Sequence, residues 1–260
     1  MLESLYKQSC QDFEVILVDQ NPINYLTRIV LDAQQFGLSL RHLKLDMPSQ
    51  FQARTLGLNS ATGGLVGFPD DDCWYEPDTV ENVIREFDDE NIDAIIARWM
   101  ERGDSGTKRQ LYWQDQVDFR GPGASMITQF YRTQIVREIG GFDPRLGLGC
   151  WFGGGEDTDL WFSISRAGKV GVMAPSVRVH HPFHKEIEIN EKALKNIRGR
   201  ARGTGALYAK HAFPLWVVIR GALSPVLKAL IRSSQRQPLA IALQITIGRI
   251  EGYLKWRRLN

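Results

Sequence analysis

Asp70, Asp71 and Asp72 stand in a row just after the apolar run Leu65-Val66-Gly67-Phe68. That run reads as a short buried strand, so three carboxylates leave the C-terminal end of one strand together. Like charges this close repel. A hard divalent cation carrying a diphosphate is the most economical offset, because carboxylate oxygens suit Mg²⁺ or Mn²⁺, and the plain alternative is a solvated acidic turn. A second acidic patch, Glu156-Asp157-Thr158-Asp159, follows a glycine-dense stretch and opens a helix, where capping and the macrodipole favour acids whatever their function. His180 and His181 end a strand, with His184 nearby. A histidine there, in a chain that also carries an acidic triplet, is a candidate metal ligand as well as a structural residue. Asp19 closes the apolar strand 13–18. It either accepts hydrogen bonds from a base or ribose, since ligands of open α/β sheets sit outside strand carboxyl ends, or it caps a turn.

The elements that must position these residues alternate. Strand 13–18 is followed by a helix from about Ile23 to Phe36, a strand around Leu40 to Leu45, a helix over 53–59 and the strand that delivers the triplet. This order argues for βαβ units and a parallel sheet. Pro77 opens a further helix to about Phe87, Ile92 to Ala97 reads as a strand, and 101–108 and Gly121-Pro122-Gly123 read as loops. Gly140-Gly141 ends a short helix. The glycines of 147–155 permit positive φ, close approach of a ligand and mobility. Two short strands are expected at 170–173 and 177–179, then helices over 191–210, 215–231 and 239–256.

A chain of 260 residues with 43% hydrophobic and 24% charged residues can bury a full core. Its net charge of +2 hides an asymmetry. From Lys192 onward there are 14 Lys/Arg and the single acid Glu251, against 18 Lys/Arg and 29 Asp/Glu before it. A basic, amphipathic tail of this kind points to an anionic surface, membrane headgroups or polyphosphate, ahead of nucleic acid. Three scattered cysteines without a CxxC pair give no disulfide framework and suggest a reducing compartment. The first residues do not read as a secretory leader. The longest apolar run, 213–231, is broken by Arg220, Pro225 and Lys228, so the expectation is a cytoplasmic protein, peripheral on the inner face of the cytoplasmic membrane.

Together the motifs resemble a family 2 glycosyltransferase of the GT-A fold. The matching stretches are Ser4-Leu5 with Gln8, the strand ending at Asp19, Ala53-Arg54-Thr55-Leu56-Gly57-Leu58, Phe68 to Pro77, Gly140-Gly141-Phe142-Asp143, Gly154 to Leu160, and Gly203 to His211. The resemblance implies an α/β, Rossmann-type sandwich with a central, mostly parallel sheet over 1–190 and a helical extension over 191–260. It implies inverting transfer from a nucleotide-sugar donor to a saccharide or lipid-linked acceptor in surface polysaccharide or glycolipid assembly.

By the same resemblance Asp70 lies near the ribose, Asp71 assists, and Asp72 and His181 hold a divalent Mn²⁺ or Mg²⁺. Asp19 contacts the donor base and Arg54 faces the nucleotide. Asp157 is the general base, with Glu156 beside it in the acceptor site. Relatives normally carry a strand and helix ahead of the segment that begins here, which leaves a second expectation open: a catalytically impaired sugar-nucleotide-binding or membrane-scaffold relative. The Gln-x-x-Arg-Trp signature of processive synthases is missing, which leans toward single-sugar addition. A two-metal phosphoester hydrolase lacks a second histidine and acid cluster.

Overall fold

The computed structural model describes residues 1–22, 24–102, 109–111, 125–182, 189–231 and 239–259. Residues 103–108 of the loop expected over 101–108, the loop expected at 121–123 and His184 lie outside the described residues. The chain forms two compact units. Residues 1–142 and 164–182, where described, make the first, and 143–163 with everything described from 189 on makes the second. The glycine-dense segment and the start of the following helix cluster with the tail.

In the first unit, α1 (Leu2–Tyr6) precedes β1 (Val15–Asp19), α2 (Thr27–Gln35), β2 (Leu40–Lys44) and α3 (Gln50–Ser60). β1 and β2 run parallel, with Val15 opposite Leu40 and Asp19 opposite Lys44. Ser49 caps α3 by accepting from the Gln52 amide at 3.3 Å, which satisfies one of the helix's orphan donors.

β3 (Leu65–Gly67) departs from the simple βαβαβ expectation. Among the described residues β1 and β2 form their own sheet, while β3 pairs antiparallel with β7 (Gln129–Arg132). Gly67 lies opposite Phe130, where a Cβ would come within 2.7 Å of the ring, so that pairing needs glycine. Thr133 extends the junction, its amide reaching the Gly64 carbonyl at 2.9 Å and its hydroxyl the Gly63 carbonyl at 2.7 Å. A partner some sixty residues away leaves no mark in local periodicity.

The larger sheet continues through β5 (Ala94–Trp99) to β8 (Gly171–His180), which are parallel, and ends at β4 (Trp74–Tyr75), antiparallel to β8. β6 (Arg109–Leu111) also pairs antiparallel with β8. The two short strands expected at 170–179 are one. β8 runs through Pro175, and the register with β5 jumps there: Ala97 faces Ala174 but Arg98 faces Arg178. A bulge admits proline because it breaks the ladder where the missing N–H falls. α4 (Thr79–Glu86) and α5 (Thr133–Glu138) flank the strands, and Ile95, Tyr131 and Val177 are fully buried.

The second unit takes the first two turns of α6 (Glu156–Arg166), then α7 (Glu191–Lys210), α8 (Leu215–Ile231) and α9 (Leu239–Leu259). Asn190 caps α7, accepting from the Ala193 amide at 3.0 Å. α7 and α9 run parallel and very close. A Cβ on Gly248 would lie 2.5 Å from the Arg198 carbonyl oxygen, and one on Gly252 only 2.0 Å from that of Arg202. Pro225 interrupts α8 and cannot donate to the Gly221 carbonyl one turn back. Arg249 of α9 supplies the missing donor at 2.5 Å.

Candidate active site

The acidic triplet sits in the turn that follows β3. The Cys73 amide closes it onto the Asp70 carbonyl at 3.3 Å, and the Cys73 thiol donates to the same oxygen at 3.0 Å. Burial and the neighbouring carboxylates push that thiol up to about 12, so it stays a neutral packing group. β4 then pairs with the end of β8, Trp74 opposite His180. This register places the residue after His180 beside the triplet.

His181 is 7% exposed, and its Nε2 lies 3.1 Å from an Asp72 carboxylate oxygen. The ligating atoms of Asp70, Asp72 and His181 all lie within 4.8 Å of one another. Nδ1 of His181 is 2.9 Å from the Pro182 carbonyl, which can only accept, so Nδ1 carries the proton. With Nδ1 so engaged, Nε2 is the ring atom that faces the two carboxylates. A proton or a metal ion between these groups offsets the carboxylate charge. Asp70 shows the same crowding. Burial first, then the charges of Asp72 and Asp71, raise its carboxyl above the usual range despite Arg54 and His181.

Arg54, from α3, reaches to 3.7 Å from Asp70 and lies over the Phe142 ring at 5.9 Å. Two expected site residues thus meet directly. Asp71 is exposed and stands outside the Asp70–Asp72–His181 group.

Asp19 is placed differently from a residue with a free oxygen for a ligand. It is 2% exposed and accepts from the Asn21 amide and side chain at 2.8 and 2.9 Å and from Lys44 at 2.9 Å, with His42 at 3.1 Å. Burial alone would raise its pKa, but the hydrogen bonds from Lys44, Asn21 and His42 outweigh burial and hold it far below the carboxylate range. It joins the ends of β1 and β2.

Local patterns gave no signal for the group behind His181. Glu101, in the 3₁₀ turn after β5, reaches His180 Nδ1 with one oxygen at 2.8 Å and accepts from the His181 amide with the other at 3.1 Å. Glu76 takes the other ring nitrogen of His180 at 3.2 Å, and Trp74 stacks on the ring at 5.1 Å. Burial opposes ionisation of Glu101, yet the bonds from His180 and the His181 amide lower its pKa.

In the second unit, Glu156 and Asp157 are half-buried at the start of α6, and an Asp157 oxygen accepts from the Thr158 amide at 2.7 Å. Asp159 has a different task. It is buried and bonded to Lys210 at 2.7 Å and to His211 at 2.8 Å, and Lys210 also holds Asp143 at 2.8 Å. The glycines before it, expected to serve ligand approach or mobility, also serve packing. The Gly153 amide donates to the Gly199 carbonyl at 3.0 Å, and a Cβ on Gly203 would collide with the Gly154 carbonyl oxygen at 1.8 Å. Gly147, Gly149 and Gly155 do take positive φ.

Comparison with known proteins bears on the family and the fold. The chain is 24% identical over 160 residues to the glucosyl-dolichyl phosphate glucuronosyltransferase of Haloferax volcanii, a match covering 56% of this chain and 51% of that one. It therefore spans about half the length of this curated relative. Its fold resembles mannosyltransferase PcManGT from Pyrobaculum calidifontis, solved with GDP-Man and Mn²⁺, at a TM-score of 0.64 and 16% identity, over 98% of this chain and 81% of that chain. It likewise resembles S. aureus TarS 1–349, solved with UDP-GlcNAc, at a TM-score of 0.59 and 15% identity, over 100% and 87%. These likenesses establish a GT-A glycosyltransferase fold. The family model described as glycosyl transferase family 2 matches residues 1–144, more than half of the chain and all of the segment from α1 through the triplet to Gly140-Gly141-Phe142, and to that family the chain belongs.

Proposed function

We propose that this chain transfers a sugar, with inversion, from a nucleotide-sugar donor to a saccharide or lipid-linked acceptor in surface polysaccharide or glycolipid assembly. We place it on the cytoplasmic side, at the inner face of the cytoplasmic membrane. The observation that carries the reading is the Asp70–Asp72–His181 group, whose potential ligand atoms lie within 4.8 Å of one another. Two carboxylates and an imidazole fit a divalent ion. The oxygens suit Mg²⁺ and Mn²⁺ alike, and the imidazole tilts the set toward Mn²⁺. An ion held there supplies charge compensation for the departing nucleoside diphosphate.

The chain's own residues do the rest. Asp72 and His181 hold the ion, Asp70 turns toward the ribose, Asp71 adds negative charge at the rim, and Arg54 faces the nucleotide. Asp19 fixes the strand ends beside which the base lies. Asp157 removes the proton of the acceptor hydroxyl as the bond from the anomeric carbon to the diphosphate breaks, and Glu156 lines the acceptor site. PcManGT and TarS were solved with a GDP and a UDP sugar respectively, which supports a nucleotide-sugar donor. The Haloferax relative, named for a glucosyl-dolichyl phosphate, supports a lipid-linked acceptor.

One observation favours a second reading, an impaired sugar-nucleotide-binding relative. Among the described residues β1 pairs only with β2 and β3 only with β7, so the strands leading to Asp19 and Asp70 belong to separate sheets. Turnover separates the two. With Mn²⁺ and a panel of nucleotide sugars, the transferase reading expects release of nucleoside diphosphate, and Asp157→Asn should cut it about 10²- to 10⁴-fold while donor binding persists. Donor binding without any turnover would establish the second reading, and Asp157→Asn turning over at the native rate would remove Asp157 as base.

A further inference from the structure

We infer that the solvent face of α8 and α9 docks on an anionic membrane surface. Along α8, Trp216, Ile219, Leu223, Leu227 and Leu230 recur every three or four residues, Leu215 adjoins Trp216, and each is at least 45% exposed. Along α9 the same spacing gives Leu239, Leu243, Ile247, Ile250 and Leu254, all exposed. The opposite sides of these helices carry the packing, with Ala222 and Ala242 buried, and the Thr246 hydroxyl bonded to the Ala222 carbonyl at 2.7 Å. Two neighbouring helices thus each turn an unbroken apolar stripe to solvent, far more than the scattered exposed leucines of an ordinary surface.

Charge selects the occupant. α8 and α9 contain one acid, Glu251, and it is already held by Arg198 at 2.9 Å and Arg202 at 2.8 Å. The exposed cations Arg220, Lys228, Arg257 and Arg258 accompany the stripes. A second copy meeting this face about a two-fold axis would set cation against cation. Anionic headgroups complement it. Trp216, with the Arg220 guanidinium 4.7 Å from its ring centroid, is the amphipathic pairing that suits the headgroup level. No described helix is long and apolar enough to cross a bilayer, so these two lie in the interface, α8 about 25 Å and α9 about 30 Å long.

Co-sedimentation of the full chain with vesicles of phosphatidylcholine, with and without phosphatidylglycerol, tests this. We expect binding that requires phosphatidylglycerol and weakens with salt. Leu227→Glu should abolish it, and Lys228→Glu should weaken it about fivefold or more, since each cation near the surface is worth about that factor. Both sites are exposed, so unchanged melting curves are expected. Binding indifferent to phosphatidylglycerol, or undiminished in Leu227→Glu, overturns the inference. So does a native dimer that Leu227→Glu dissociates, which would make a second copy the occupant. The donor-induced thermal shift, read on the same samples, reports on the transferase separately: lipid binding without donor binding supports the docking face and counts only against the transferase.

Discussion

His181 and Asp72 approach to 3.1 Å, Nε2 to carboxylate oxygen, while the ring's other nitrogen is committed to the Pro182 carbonyl. The pair therefore brings two potential metal-ligand atoms together, with Asp70 supplying a third nearby. Titration of the free-Mn²⁺ resonance should show one bound ion in the native chain. Removing a ligand costs more than removing an orienting partner, whose loss alone weakens metal about 10- to 100-fold. Asp72→Ala and His181→Ala should therefore each weaken Mn²⁺ by more than about a hundredfold. Native affinity in both variants would mean the ion sits elsewhere.

Glu101 acts one step further out. Its two oxygens tie the His180 ring to the His181 main chain, so the direction of the His181 side chain depends on a carboxylate that touches no ligand atom of the trio. Glu101→Gln keeps the shape but loses the charge and one acceptor. We expect Mn²⁺ affinity to fall about 10- to 100-fold with the melting temperature little changed. A variant that melts early yet binds Mn²⁺ normally would make Glu101 a stability residue instead.

The difference between Asp72 and Glu101 shows what the sequence discloses. A triplet of acids behind an apolar run, a strand ending in aspartate, and an acidic helix start are local patterns, and β1, β2 and the triplet turn form where those patterns place them, while α3 already starts at Gln50, ahead of the expected 53–59. Glu101 and His180 are 79 residues apart and meet only because β5 and β8 lie side by side, a pairing that no window of sequence contains. The same holds for β3. Its apolar run identifies a strand, but the choice of β7 as partner rests on Gly67 making room for Phe130. Asp159 was legible as an acid at a helix start. Its burial against Lys210 and His211 required α7 to be in place.

Glu251 gives a pH signature. Its bonds to Arg198 first, and then to Arg202, outweigh burial and lower its pKa from 4.5 to about 2. A folded-state pKa below the unfolded one means the folded chain binds fewer protons, so the contribution is complete above about pH 4.5 and is lost as pH falls through about 2. Asp143 is held low in the same unit by Arg145 and Lys210 and adds in the same direction. Thermal melts should therefore fall steadily below about pH 4.5. Glu251→Gln should melt lower than native near neutrality and show a shallower acid limb. An acid limb identical to the native one would mean the Arg198–Glu251–Arg202 bridge contributes nothing.

Two glycines in adjacent helices should respond to alanine with opposite signs. In a helix interior alanine is favoured over glycine by roughly 0.5–1 kcal/mol, because glycine loses more backbone freedom on folding. At Gly199 of α7 a Cβ meets nothing within 4 Å, so Gly199→Ala should gain about that amount. At Gly252 of α9 the new Cβ would lie 2.0 Å from the Arg202 carbonyl oxygen and 2.7 Å from its carbonyl carbon. Neither is the end of a flexible side chain, so α7 and α9 must separate. Overpacking of this kind costs about 1–3 kcal/mol and outweighs the propensity gain. Separation would also stretch the bridge from Glu251 to Arg198 and Arg202, since the acid precedes Gly252 directly. Urea unfolding of both variants should place Gly199→Ala above and Gly252→Ala below the native midpoint. Two shifts of the same upward sign would show that the helices do not pack through this glycine.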